Sequence, residues 1–131
     1  MLNYEKVRNW VSPEIRHTYT ARDVAIYALG IGMAQDPMDR AELPFVIQES
    51  SPPVMPSMAA VLGSPGSWMR DKPEYGIDYV RLVHGEQSVK LHAPLPSGGT
   101  VVAQTRVTRV VDKGEGKGAL VHTEKVIKDG A

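Results

Sequence analysis

The densest set of chemically capable side chains is His84-Gly85-Glu86-Gln87, which combines an imidazole, a residue with free backbone rotation and two side chains bearing acceptor oxygens. General acid–base catalysis requires a proton donor or acceptor and a positioned water, and these four residues hold groups for both. His84 and Glu86 are the candidates for direct catalysis. The same residues also suit a polar bulge or turn in which Gly85 supplies backbone freedom. Elsewhere the chemistry thins out. Asp36 and Asp39 are paired carboxylates in a polar loop and read as solvated charges. His17, His92 and His122 are scattered without metal-ligand spacing, so they read as surface or strand-face residues and no metal site is expected. Lys113-Gly114-Glu115-Gly116-Lys117-Gly118 lacks the following helix and the Gly-Lys-Ser/Thr ending of a phosphate loop, which leaves a hairpin tip.

Several elements must position these groups. Residues 19–32 read as one helix: Thr20 can cap it, Asp23 can answer in capping-box fashion, and the Asp23 charge faces the positive end of the helix dipole. Val24, Tyr27, Ala28 and Ile31 follow the i, i+3, i+4, i+7 spacing of a buried face, and Gly30 and Gly32 stop the helix. Small Ala25, Ala28, Gly30 and Gly32 would let a sheet approach closely. Residues 1–18 read as an extended lead-in. Residues 33–77 are long and punctuated by proline, with Phe45-Val46-Ile47 as a possible short strand and Pro56 as a possible start for a short helix through Leu62. Irregular stretches of such length usually cover or bind. Met33, Met38, Met55, Met58 and Met69 fall in or beside it; flexible thioethers suit a surface that must accept a variable acyl chain, while any one of them reads more simply as ordinary gap-filling.

From Asp78 the pattern turns β-like. Residues 79–83 and 88–92 are short β-prone segments, and residues 94–99 form a turn. Residues 100–112 then alternate, with Val101, Ala103, Thr105, Val107 and Arg109 on one face and Val102, Gln104, Arg106, Thr108 and Val110 on the other. Residues 119–128 return as a second long strand, closing a hairpin. The Asp129-Gly130 pair is a further hairpin signal, which predicts another strand beyond Ala131. The fold class is α+β: a helix wrapped by an antiparallel sheet.

Size and composition set the outer limits. A chain of 131 residues fits one domain. Charged residues make up 23%, and fifteen basic against fifteen acidic ones leave no net charge, so nothing global favours nucleic acid or an anionic membrane. The absence of cysteine excludes disulfides and thiolate nucleophiles. No apolar run approaches the roughly 20 residues of a membrane span, and the N-terminus lacks a signal-peptide core, so a soluble, cytoplasmic protein is expected.

The helix at residues 19–32, followed by Val83-His84-Gly85-Glu86-Gln87 and Leu91-His92-Ala93-Pro94-Leu95-Pro96, resembles the N-terminal half of the MaoC-like (R)-specific 2-enoyl-CoA hydratases, the hydratase 2 family. That resemblance implies a hot-dog fold as the first repeat of a double hot dog, truncated here, and a peroxisomal location in a eukaryote. It also implies an acyl-CoA thioester as substrate, with no further cofactor, and either a second repeat or a homo-oligomer as partner. The family's catalytic Asp and His lie in an Asp-x-Asn-Pro-x-His-like motif of the second repeat. Gln35-Asp36-Pro37-Met38-Asp39 lacks its Asn and His, so this chain is expected to be inactive alone. By resemblance it supplies the covering wall, through the proline-rich residues 44–62 and His84-Gly85-Glu86-Gln87, with Met55 and Met58 against the acyl chain. Arg70, Lys72 and Arg81 are available to the coenzyme A phosphates, although scattered basic residues are usually just solvated. The alternative is a non-catalytic acyl-CoA-binding hot-dog subunit that pairs with a separate catalytic chain. A hot-dog thioesterase fits less well, because Asp23 is spent in the capping turn and no other helix-borne carboxylate is evident.

Overall fold

The structure, a computed structural model, describes residues 1–47 and 51–131. Its centre is an antiparallel sheet of three strands in the order β1 (Ile15–Tyr19), β2 (Gly99–Asp112) and β3 (Ala119–Asp129). The two long strands form the expected hairpin. Gly114, Gly116 and Gly118 all take positive φ at its tip, which a residue with a Cβ adopts only under strain. Helix α2 (Ala21–Gly30) starts where expected: Asp23 Oδ2 accepts from the Thr20 backbone N–H at 2.8 Å and from its hydroxyl at 2.9 Å. It ends in a Schellman pattern, with Gly32 at φ +95° and the Met33 N–H bonded to Ala28 O at 3.0 Å.

Val24, Ala25 and Ala28 bury one face of α2, with Tyr27 at the margin. Ile31, expected on that face, is 46% exposed because the helix closes at Gly30 and leaves Ile31 in the cap. Gly30 likewise meets no approaching sheet, its Cβ position being open to at least 4 Å. Two clusters fill the inner side of the sheet. Tyr19, Val24, Met58, Leu62 and Val101 make one, under α2. Val7, Trp10, Trp68 and Val107 make the other, in which the two indoles stack with centroids 3.8 Å apart.

Four sequence expectations give way here. The lead-in is not simply extended: Asn3 Oδ1 caps helix α1 (Tyr4–Arg8) by accepting from the Lys6 N–H, and Val7 and Trp10 enter the core. Phe45-Val46-Ile47 is not a strand, since Pro44 sits in the first turn of helix α3 (Leu43–Val46), where its missing N–H costs nothing. Residues 79–83 and 88–92 form no strand; only a 3₁₀ turn at Tyr79–Arg81 interrupts an extended path that lies off the sheet, without a ladder partner among the described residues. Finally, a bulge at Thr108 breaks the alternation of β2, because Val107 pairs with Thr123 while Arg109 pairs with His122. Val110 therefore returns to the inner side and packs on the tryptophan cluster, while Arg109 pairs outward. The short helix expected after Pro56 does form, as a 3₁₀ helix at Pro56–Ala60, and helix α4 (Trp68–Asp71) carries Trp68 into the core.

Candidate functional site

A groove of about 680 Å³ opens between two proline-rich segments, residues 51–56 and residues 91–97. Prolines fix φ and remove backbone donors, and apart from Pro56 at the start of the 3₁₀ helix both walls lie outside helix and sheet. Each wall is tied to the core at defined points. On one side the Tyr27 hydroxyl donates to Ser57 Oγ at 3.0 Å, and Val54 packs on the cluster under α2. On the other, the Tyr19 hydroxyl donates to Pro96 O at 2.7 Å and Leu95 packs on the same cluster. Ser51 and Ser97 hydroxyls, 2.9 Å apart, bridge the two walls. Burial, with the nearby Asp129 charge adding to it, pushes the Tyr19 phenol above its ordinary pKa, so it stays a donor over the whole physiological range.

Beyond the 3₁₀ helix the first wall continues into a strap that crosses the inner side of the sheet. Leu62 is only 1% exposed, and Gly63 rests on Ala103 of the middle strand so closely that a Cβ on Gly63 would overlap the Ala103 methyl. From β3, Lys125 Nζ donates to Ala60 O at 2.7 Å and to Leu62 O at 2.6 Å. From β1, His17 Nδ1 accepts the Gly63 N–H at 3.0 Å. Burial lowers the Lys125 pKa, since its ammonium is partly withdrawn from water with only carbonyl oxygens as partners.

The described lining of the groove is mostly apolar and holds no Asp, Glu, Lys or Arg. His92 is the one titratable side chain among its described lining residues, and it stands alone. No cluster of metal-ligating side chains exists among the described residues. The arrangement can seat an apolar group, and its described lining residues form no nucleophile–base or acid–base pair.

His84-Gly85-Glu86-Gln87 lies outside the described lining of this groove and on the surface, where the His84 Nε2 and Gln87 Oε1 atoms bond to each other, 3.1 Å apart. Gly85 has open space around its Cβ position and ordinary φ, so neither packing nor backbone strain requires glycine there. Met58 is a core residue, and half-buried Met55 separates the lining residues Val54 and Pro56. Met69 packs on the tryptophan cluster and Met38 is exposed. Asp36 and Asp39 accept from the Met38 and Ala41 N–H groups, which makes them loop caps. Arg70 pairs with Asp71 at 2.8 Å on the surface. Sequence reasoning located the first wall within residues 44–62 but took residues 94–99 only as a turn. It left His17 and Lys125 without a role, because no local pattern reports which distant carbonyl or N–H a strand-borne side chain will meet.

Residues 17–131 match the family model described as the MFE-2 hydratase 2 N-terminal domain. Among curated proteins, the peroxisomal enoyl-CoA hydratase 2 of Arabidopsis thaliana is 39% identical over 118 residues, which is 86% of this chain and 37% of that protein. Enoyl-CoA hydratase ChsH3 of Mycobacterium tuberculosis is 31% identical over 90% of this chain and 42% of its own length. The 3-hydroxyacyl-thioester dehydratase Y of the same organism is 33% identical over 79% of this chain and 34% of its own length. The chain thus spans between about one-third and two-fifths of the length of these three relatives. No helix among the described residues is long and apolar enough to cross a membrane.

Proposed function

The chain belongs to the MFE-2 hydratase 2 N-terminal domain family, and from that premise we propose that it is the substrate-covering half of an (R)-specific enoyl-CoA hydratase. The observation that carries this reading is the groove between residues 51–56 and 91–97, whose described lining is mostly apolar and holds no acid–base pair. Such a groove suits the hydrocarbon part of a trans-2-enoyl thioester, whose burial is favourable by roughly 0.8 kcal/mol per methylene. Hydration itself needs a positioned water, a proton donor and donors that stabilise charge on the thioester oxygen. An Asp and a His outside residues 1–131 supply the proton transfers in this reading. The α+β layer with its three-stranded antiparallel sheet is compatible with a hot-dog fold, and a second such repeat, or another copy, completes the enzyme.

Hydration of crotonyl-CoA, followed by loss of the enoyl-thioester absorbance, tests the division of labour. The protein as its gene encodes it should turn over, and residues 1–131 alone should not; turnover by the fragment would end this reading. A gain of activity only on adding a separately encoded chain would instead identify a non-catalytic acyl-CoA-binding subunit. Leu91 lines the groove and is partly exposed. Leu91→Asp in the active protein should raise KM for a long-chain enoyl-CoA about tenfold while leaving crotonyl-CoA unaffected, the loss of roughly 1.4 kcal/mol of apolar burial.

A further inference from the structure

The strap that follows the first groove wall is held diagonally across all three strands. Ala103 of the middle strand lies beneath Gly63, Lys125 reaches Ala60 O and Leu62 O from β3, and His17 holds the Gly63 N–H from β1. The two side-chain holds differ in kind. Lys125 donates to carbonyl oxygens whether its amine is charged or neutral. His17 accepts, which only a neutral imidazole with its proton on Nε2 can do through Nδ1. A protonated ring would face the Gly63 N–H with an N–H of its own, and that hydrogen bond would be lost.

We propose that His17 is a protonation-sensitive latch that, with Lys125, positions the strap running on from the first wall of the groove. With the imidazole neutral, both holds are closed. When His17 takes up a proton, the β1 side of the strap releases while Lys125 keeps the β3 side, so the segment carrying Leu62 and Gly63 pivots rather than detaches. The charged groups facing His17 oppose one another. Asp23 at the start of α2 is close enough for its carboxylate to feel the ring, and it favours the imidazolium. Lys125, bonded one residue away at Leu62 O, disfavours a second cation. On β1 itself Arg16 lies on the other side of the strand, bonded to Gly130 O. The latch is independent of the reaction assigned to the groove.

Hydrogen exchange on the gene-encoded protein, read on peptides spanning residues 60–66 and corrected for the intrinsic pH dependence of exchange, tests this directly. Protection should fall roughly tenfold between pH 7.5 and pH 5.5, the order expected when a partly buried N–H loses its acceptor, while protection of β2 stays constant. His17→Asn places an acceptor near the Nδ1 position without a titrating ring, so it should keep the protection and abolish its pH dependence. His17→Ala should be unprotected at both pH values. If the alanine variant fails to fold, the wild-type and asparagine proteins decide alone. Constant wild-type protection, or an asparagine variant that follows pH as the wild type does, would overturn the latch. So would ¹⁵N imidazole shifts showing the His17 proton on Nδ1 at pH 7.5.

Discussion

Two regions of this chain have similar β-forming composition and opposite outcomes. Residues 99–129 supply Val101, Val107, Val110, Val121 and Ile127 to a paired, half-buried hairpin. Residues 79–92 contain Tyr79, Val80, Leu82, Val83 and Val89, yet Val80 is 93% exposed and Val83 85% exposed, and neither belongs to a ladder. The difference lies in what each region has to pair with and cover. The hairpin has a neighbouring strand, α2 and the strap on its inner side. The other segment has no such surface among the described residues, and β propensity expresses only fitness for a pleated surface that must already exist.

Substitutions can break this contrast or sharpen it. The largest effect is expected at Gly63, where φ is +59° and a Cβ would overlap Ala103. Gly63→Ala should cost about 3 kcal/mol in a urea denaturation series, from left-handed strain and overpacking together. Lys125→Met keeps the aliphatic stem but leaves Ala60 O and Leu62 O without their donor, which should cost about 2 kcal/mol. Because burial lowers the Lys125 pKa below the usual 10.5, the unfolded chain binds more protons there, so this site's contribution grows as pH rises toward 10.5. The methionine variant should lose that alkaline gain when the series is repeated across pH. The smallest effect belongs to the other region: Val80→Ser combined with Val83→Ser should stay within about 0.5 kcal/mol of wild type. A loss several times larger would mean that this segment is covered in the assembled protein, and the contrast between the regions would then be one of partner rather than of fold.

What could be read from the sequence was local. Thr20, Asp23 and Gly32 specify the two ends of α2 through interactions spanning a few residues, and the glycines at positions 114, 116 and 118 specify the hairpin tip. The groove was legible by half, because Pro52, Pro53 and Pro56 announce a rigid irregular wall while nothing near Pro94 and Pro96 reveals that Tyr19 will tie them opposite it. The Trp10–Trp68 stack and the His17–Gly63 bond join residues far apart in the chain, and such pairs leave no periodic trace. His84-Gly85-Glu86-Gln87 combines residue types suited to chemistry with an exposed position, and the sequence carries no sign that His84 and Gln87 will bond to each other there.

The extra residue in β2 has one more consequence. Up to Val107 the odd-numbered positions of that strand face the core, and after Thr108 the even-numbered Val110 does, whereas β3 keeps Val121, Lys125 and Ile127 in a single phase throughout. Thr108 thus acts as a one-residue frameshift written in side-chain direction, letting Val107 before it and Val110 after it both reach the tryptophan cluster. Straightening the strand, with Thr108 kept but placed in regular alternation, would send Val110 to solvent and Arg109 toward the indoles.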